Sequence, residues 1–167
     1  MGANVDDGYT ELAERKGLGH PDTLIDGIME EVSRALCKEY LEQFGTILHH
    51  NVDKGLIVGG EAKVEFGGGT VEKPAEIYLA GRATYEHAGK IVNVEGIAME
   101  AARSYLMENC RHLDVDKDVV LIPRIRRGSS DLVGLFGSST KIPFSNDTSF
   151  GTGFAPYSRL ESVVLEV

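Results

Sequence analysis

A histidine and an aspartate stand at the predicted start of a helix, in the segment Gly19-His20-Pro21-Asp22. Pro21 suits the first helical position, where the missing N–H costs nothing. The free N–H groups of a helix N-terminus favour phosphate. His20 could therefore donate a hydrogen bond to phosphate or protonate a leaving oxygen, and Asp22 could hold Mg²⁺, which prefers carboxylates, phosphates and water. The residue types alone favour a simpler alternative, in which Asp22 caps the helix and His20 is an exposed loop residue.

Two further segments combine charged residues with glycine. In Val58-Gly59-Gly60-Glu61 the carboxylate of Glu61 could meet a ligand ammonium where the backbone is bare, although a β-bulge followed by a surface glutamate explains the pattern equally simply. The segment Arg126-Arg127-Gly128-Ser129-Ser130-Asp131 offers N–H, hydroxyl and guanidinium donors, and could cradle a triphosphate. It lacks the GK[ST] ending of the common phosphate loop, so the pattern by itself is weak.

Two remaining patterns are less specific. His49 and His50 are adjacent in a strand-like run, so their side chains point to opposite faces and cannot readily share one metal ion. The segment Asn146-Asp147-Thr148-Ser149-Phe150-Gly151 places Asp147 beside polar and glycine residues, which turn chemistry alone explains.

The elements that position these residues follow from hydrophobic periodicity. A long amphipathic helix is predicted from Pro21, with apolar residues at three- and four-residue steps, and Gly45 ends it. A second helix is predicted over 94–110, and strands over 11–16, 46–51, 56–66 (interrupted by the glycine pair), 75–85 and 119–125. Residues 67–69 are expected to turn, and 126–144 to form a long loop. This order predicts an α+β domain, a mostly antiparallel sheet with two helices packed on one face.

Composition narrows the function class. The 167 residues carry a formal charge of −9, which argues against a nucleic-acid surface. Two cysteines among 167 residues favour buried thiols in a reducing compartment. No apolar run reaches membrane-spanning length and no signal pattern opens the chain, so we expect a cytoplasmic protein without membrane contact.

The domain organisation is expected to be simple. We predict a flexible N-terminus over 1–10, one domain over 11–157, and the start of a further element over 158–167. That last stretch is apolar and periodic, and its abrupt stop suggests truncation.

Taken in order, six segments of the chain resemble the archaeal-type S-adenosylmethionine synthetases. The segments that carry the resemblance are Glu14-Arg15-Lys16-Gly17-Leu18-Gly19-His20-Pro21-Asp22, Val32-Ser33-Arg34-Ala35-Leu36-Cys37, Ile47-Leu48-His49-His50-Asn51, Val58-Gly59-Gly60-Glu61, Arg111-His112-Leu113-Asp114-Val115 and Asn146-Asp147-Thr148-Ser149-Phe150-Gly151. They span nearly the whole chain from Glu14, and their combination is far more specific than any one of them.

The resemblance implies an enzyme that joins ATP and L-methionine. The methionine sulfur attacks the 5′ carbon of ATP and expels triphosphate, with Mg²⁺ neutralising the leaving group and K⁺ as a further cofactor. By motif, His20 resembles the histidine that assists triphosphate departure and Asp22 a Mg²⁺ ligand. Glu61 resembles the carboxylate that contacts methionine, and Asp147 a residue near the substrate. The loop from Arg126 to Asn146 resembles the mobile lid over the site.

The resemblance also implies three similar domains and a homodimer with active sites at the subunit interface. Family members are much longer, so we expect these 167 residues to be inactive alone. The family pattern has glutamine where this chain has Arg127, and a charged donor cannot replace an amide that also accepts hydrogen bonds. That departure leaves an alternative, a diverged non-catalytic homologue acting as a nucleotide-binding or assembly module. A third hypothesis is an unrelated metal-dependent phosphohydrolase using His20, Asp22 and His49.

Overall fold

A computed structural model describes residues 8, 10–128 and 155–167. The chain divides into two compact units, one of Leu18–Pro143 and the other of Met1–Gly17 with Phe144–Val167. Most of the predicted flexible N-terminus, 1–10, lies outside the described residues. The expected domain boundaries at 11, 157 and 158 stay a prediction.

The first unit is organised by one long helix, α1 (Pro21–Phe44), of 24 residues. Its apolar residues recur every three or four positions and therefore line one stripe, of which Ile28, Val32 and Leu36 are fully buried. Gly45 ends the helix in the left-handed conformation, with φ of 71°, and its N–H donates to the Leu41 carbonyl. The predicted start, stripe and end of this helix are confirmed.

Within the described residues seven strands follow, with bounds β1 (His50–Val58), β2 (Glu61–Glu65), β3 (Gly68–Lys73), β4 (Ala75–Ala83), β5 (Glu86–His87), β6 (Lys90–Ile91) and β7 (Val119–Arg127). The main sheet has the order β1-β4-β7, while β2-β3 and β5-β6 are two-stranded. β1 runs antiparallel to β4, but β4 runs parallel to β7. The parallel pair arises because the chain crosses over through a second helix, α2 (Val94–Asn109), between these strands.

These elements confirm the predicted α+β class and correct several bounds. The first strand begins at His50 rather than residue 46, and the run 56–66 contains the end of one strand and the whole of the next. The predicted turn at 67–69 is wrong for Gly68 and Gly69, which open β3 because they pair with Glu65 and Val64.

The two long helices cover one face of the main sheet. Alternate residues of β4, Ile77 and Leu79, are buried beneath them, as period-two strand geometry requires. At the end of the sheet the Tyr40 hydroxyl donates to the Thr84 carbonyl at 2.8 Å and accepts the Thr84 N–H at 3.2 Å. Burial raises the pKa of Tyr40 to about 12. A short helix, α3 (Val115–Asp118), precedes β7.

The second unit contains a helix, α4 (Arg159–Glu166), opened by a reciprocal cap between Ser158 and Glu161. Ser158 also donates to the Glu11 carboxylate, and the Arg15 guanidinium lies 4.8 Å from the centre of the Tyr157 ring. The predicted strand over 11–16 is wrong: side-chain contacts, not a backbone ladder, hold this segment. In the described part of the chain, no helix is long and apolar enough to cross a membrane.

Candidate functional site

His20 is the N-cap of α1. Its Nδ1 accepts a hydrogen bond from the Asp22 N–H at 3.1 Å, and its own carbonyl accepts from Leu24. The simpler interpretation from sequence is therefore wrong in detail, because the histidine and not the aspartate caps the helix. With Nδ1 acting as acceptor, the neutral ring carries its proton on Nε2. The half-exposed side chain thus offers an N–H donor at the positive end of a 24-residue helix.

Asp22 lies on the first turn of the same helix, with 62% of its side chain exposed. A negative group is stabilised there by the helix dipole. A single accessible carboxylate suits Mg²⁺, which usually takes one or two carboxylates together with substrate phosphates and water. The role of Asp22 as a metal ligand stays a prediction.

An open cavity of about 430 Å³ lies between α1 and β1. Its polar lining includes carboxylates from both elements: Asp26 and Glu30 of the helix and Asp53 of the strand. His20, Asp22 and Glu61 are not part of this lining. The cavity is therefore a neighbour of the predicted site rather than the site itself.

His50 and Ser33 meet at the wall of this cavity. The His50 Nε2 lies 3.0 Å from the Ser33 Oγ, and its Nδ1 lies 2.9 Å from the Leu48 carbonyl. Because a carbonyl only accepts, the Nδ1 carries a proton and the neutral ring accepts from the Ser33 hydroxyl through Nε2. No local sequence pattern indicates this pair, since the partners lie on different elements. His49 is half-buried beside it, and its carbonyl accepts from the Thr84 hydroxyl at 2.9 Å.

Glu61 opens the hairpin formed by β2 and β3. It is exposed and forms an ion pair with Lys73, its cross-strand partner. The register shifts between Glu61 and Ala62, so the bulge suggested by the sequence is present. Gly60 is needed immediately before it, because a Cβ at that position would lie 2.1 Å from the Lys73 carbonyl oxygen. A methionine ammonium would have to compete with the Lys73 ammonium for the Glu61 carboxylate.

Arg126 and Arg127 end β7, and strand geometry sends them to opposite faces of the sheet. Arg127 lies 3.8 Å from the Glu86 carboxylate, and its guanidinium is 5.6 Å from the centre of the Tyr85 ring. Arg126 pairs in register with Arg82 of β4, and both are exposed. The two predicted arginines are therefore not equivalent.

A row of arginines lies on the face of the sheet that the helices leave uncovered. Directly paired residues share a face, so Arg82 lies beside Arg126, and Arg124 lies two residues before Arg126 on that same face. Arg82 and Arg124 were not among the residues predicted from the sequence. Alternating basic residues in Arg124-Ile125-Arg126 were the available signal, but Arg82 is 44 positions earlier and joins them only through strand pairing.

The predicted site residues that the structure describes lie at opposite ends of the sheet. Contacts place Ile25, near the start of α1, beside Gly55, whereas Tyr40, near its end, reaches Thr84. His20 and Glu61 are therefore at the end where β1 finishes. Arg126 and Arg127 are level with Asn51 and His50, where β1 begins. The nine residues of β1 separate these ends by about 26 Å at a rise of roughly 3.3 Å per residue.

The structure says less about the remaining predicted site residues. Among residues 8, 10–128 and 155–167, no three His, Cys, Asp or Glu side chains are grouped to hold a metal ion. A preformed metal site of His20, Asp22 and His49, as the phosphohydrolase hypothesis requires, is thus not found there. Most of the predicted lid lies outside the described residues. So do four predicted site residues: Ser129, Ser130, Asp131 and Asp147.

Comparison of the chain with known protein families gives a match over its whole length. The model of the S-adenosylmethionine synthetase (AdoMet synthetase) family matches residues 1–167. The chain belongs to this family. The resemblance carried by the six motifs is thereby confirmed.

Three curated relatives from the synthetase family show how much of a relative's length this chain covers. A probable S-adenosylmethionine synthase of Aquifex aeolicus is 54% identical over 159 residues, covering 93% of this chain and 40% of the relative. The synthase of Methanocaldococcus jannaschii is 52% identical, with 97% and 42% covered. That of Sulfolobus acidocaldarius is 50% identical, with 98% and 41% covered. The chain therefore spans about 40% of the length of the relatives it matches.

Proposed function

We propose that the full-length protein containing this chain synthesises S-adenosylmethionine from ATP and L-methionine and releases triphosphate. The observation that carries the proposal is the paired His20 and Asp22 at the start of α1, in a chain of the synthetase family. In the reaction, the methionine sulfur forms a bond to the 5′ carbon of ATP. The bond from that carbon to the triphosphate oxygen breaks, and its electron pair leaves with the triphosphate.

The role of His20 follows from its tautomer. Since Nδ1 is engaged by the Asp22 N–H, the Nε2–H is the group left to meet the departing oxygen. A donor fixed at a helix N-terminus stabilises negative charge that grows as the triphosphate leaves. Mg²⁺ supplies further charge neutralisation when bound, and Asp22 would hold it. We propose K⁺ as a second cofactor from the family resemblance, without assigning residues to it.

The arginine row and Glu61 would bind the substrates. Arg82, Arg124 and Arg126 supply positive charge for the triphosphate on a protein whose overall charge is −9. Glu61 would accept from the methionine ammonium in place of Lys73. The substrate contacts expected from the motifs stay predictions for five residues: Arg127, Ser129, Ser130, Asp131 and Asp147.

The separation of these groups supports a homodimer with shared sites. One triphosphate cannot span the roughly 26 Å length of β1, which separates the end of the sheet near His20 from the end that carries Arg126 in the same chain. A two-fold axis across the uncovered sheet face would bring one end of each sheet over the other end of its partner. That face also exposes apolar side chains, including Leu56 at 57%, Val58 at 44% and Val120 at 44%. Each site would then combine His20 and Glu61 of one subunit with the arginines of the other.

Subunit complementation tests both parts of this proposal. The full-length protein is expected to form S-adenosylmethionine and triphosphate, measured by chromatography and phosphorus NMR, whereas His20→Ala and Arg126→Ala variants are each expected to be strongly impaired. When the two variants are co-expressed, mixed dimers regain one intact site of two, so about one quarter of wild-type activity should return. No recovery would contradict shared sites. Binding of ATP without any turnover by the wild-type protein would favour the non-catalytic alternative.

A further inference from the structure

His20 and Asp22 lie at the start of α1, where burial does not hold them. Their side chains are 42% and 62% exposed. Residues 21–27 are exposed or half-buried, and Ile28 is the first buried residue of the helix. The position of the two proposed functional groups therefore depends on how the first half of α1 packs against its neighbours.

Gly55 of β1 lies directly beneath the first turns of α1. It pairs with the buried Leu79, so it is on the face of the sheet that the helices cover. A Cβ at this position would lie 2.4 Å from the Ile25 Cγ1 and 2.8 Å from the Met29 Cγ. Glycine weakens the interior of a strand, and there it often marks a close approach by another group. The bare backbone at Gly55 is what lets α1 lie this close to β1.

Gly27 makes a similar contact on another side of α1. It is two residues beyond Ile25, which is about 200° around the helix axis. A Cβ at Gly27 would lie 2.0 Å from the hydroxyl oxygen of Tyr105, a residue of α2. Glycine is unfavourable in the interior of a helix compared with alanine, so the close packing of Tyr105 accounts for its presence. The first half of α1 is thus in close contact with β1 and with α2.

Both contacts lie near the helix start. Ile25 follows His20 by five residues, about 7.5 Å along the helix axis at a rise of roughly 1.5 Å per residue. The backbone hydrogen bonds of the helix keep it stiff over this distance, so a displacement at Gly55 moves His20 as well. β1 runs from Gly55 toward Glu61, so the same contact sets where the helix start lies relative to that carboxylate.

We propose, on the basis of the proposed function, that Gly55 and Gly27 are positioning residues that place His20 and Asp22 for the reaction. A Cβ at Gly55 would be about 1 Å too close to Ile25 for van der Waals contact, so the helix must move by a similar distance. A misplacement of about 1 Å can reduce the rate of an enzyme by roughly 100-fold. The two glycines therefore affect the reaction through the placement of α1 and not through contact with a substrate.

Turnover by full-length variants tests the role of Gly55. Gly55→Ala is expected to lower kcat by roughly 10- to 100-fold and to change the KM for ATP by less than about three-fold, because His20 acts on the departing triphosphate. Ile25→Ala removes the atoms nearest to the new Cβ. In an Ile25→Ala background, Gly55→Ala should therefore cost less than about three-fold in kcat. An equal loss of kcat in both backgrounds would overturn the steric explanation.

Gly27 provides an independent test. Since alanine is the better helix former, propensity alone predicts that Gly27→Ala stabilises α1. The positioning role predicts a lower kcat, which is restored when Tyr105→Ala is added. Full activity of a folded Gly27→Ala enzyme would overturn the role of Gly27. This pair also decides the question if circular dichroism shows that Gly55→Ala does not fold.

Gly96→Ala is the matched control. Its Cβ would lie 2.3 Å from the Asn93 Nδ2, and Gly96 lines a groove together with Lys38 and Glu42, in the second half of α1. Gly96→Ala should lower the stability in chemical denaturation and leave kcat within about two-fold of the wild type. A loss of kcat comparable to that of Gly55→Ala would show that destabilisation alone explains both, and would overturn the positioning role.

The wild type separates the two levels of the proposal. A full-length wild-type protein without turnover would overturn both the proposed function and the positioning role. An active wild type that is matched by Gly55→Ala in kcat would overturn the positioning role of Gly55 alone.

Discussion

Arg82 and Arg126 lie directly opposite each other on the parallel strands β4 and β7, with both side chains exposed. Like charges in directly paired positions are unfavourable. The Arg82 guanidinium also donates to the Arg127 carbonyl at 3.1 Å, and the juxtaposition of the two arginines on an acidic protein is consistent with the anionic ligand proposed above. Arg124 extends the same row, and Arg127 leaves it for the other face, where it meets Glu86.

The first prediction separates the two adjacent arginines. Arg126→Ala should weaken binding of triphosphate to the full-length protein by about ten-fold, because a charge-assisted contact to phosphate is lost. Arg127→Ala should change the affinity much less, since its guanidinium is engaged with Glu86 and Tyr85. Isothermal titration with triphosphate at fixed salt measures both. A larger loss in Arg127→Ala would show that Arg127, which the sequence predicts as a phosphate contact together with Arg126, is the more important of the two.

The second prediction distinguishes the capping role of His20 from its chemical role. His20→Asn keeps a side-chain acceptor for the Asp22 N–H, so the free energy of unfolding should be nearly unchanged. His20→Ala removes the cap and should cost about 1 kcal/mol. Both variants lose the Nε2–H donor and should show roughly 100-fold lower kcat. Urea denaturation and turnover assays provide the comparison, and an active His20→Asn enzyme would contradict the proposed donor.

The third prediction concerns the glycine pair before Glu61. Gly60→Ala should destabilise the protein by about 1–3 kcal/mol, because its Cβ would lie 2.1 Å from the Lys73 backbone oxygen and force the backbone apart. Gly59→Ala is the control, since nothing lies within 4 Å of the added Cβ. It should fall within about 0.5 kcal/mol of the wild type by chemical denaturation. Equal effects at both positions would refute the close approach at Gly60.

The fourth prediction is a pH dependence that arises from His49. Burial, and secondarily the neighbouring His50, lower the pKa of His49 below its usual value of 6.5. The unfolded chain therefore binds more protons than the folded one as the pH falls through 6.5, so the contribution of His49 to stability decreases on acidification. Denaturation curves at pH 7.5 and 5.5 should show a smaller loss of stability in His49→Gln than in the wild type. An equal loss in both proteins would exclude His49 as its source.

Local sequence patterns were sufficient to predict an element when all the residues that define it lie within that element. The bounds of α1 were predictable because a 3.6-residue period runs through 24 residues, with Pro21 and Gly45 marking its two ends. β3 was not predictable, because Gly68 and Gly69 disfavour strands and are ordered by pairing with Glu65 and Val64. The same reason explains why Lys73 was not foreseen as the partner of Glu61.

The sequence by itself determined the family, the α+β class and the position of His20 and Asp22 at a helix start, because these depend on residues close together in the chain. Tertiary structure decided how the remaining groups are distributed. The crossover through α2 sets the parallel register that brings Arg82 beside Arg126, and the length of β1 places both far from His20 and Glu61. Register and strand direction are properties of pairing between distant segments, so no local pattern could reveal that the predicted site is divided between two ends of one sheet.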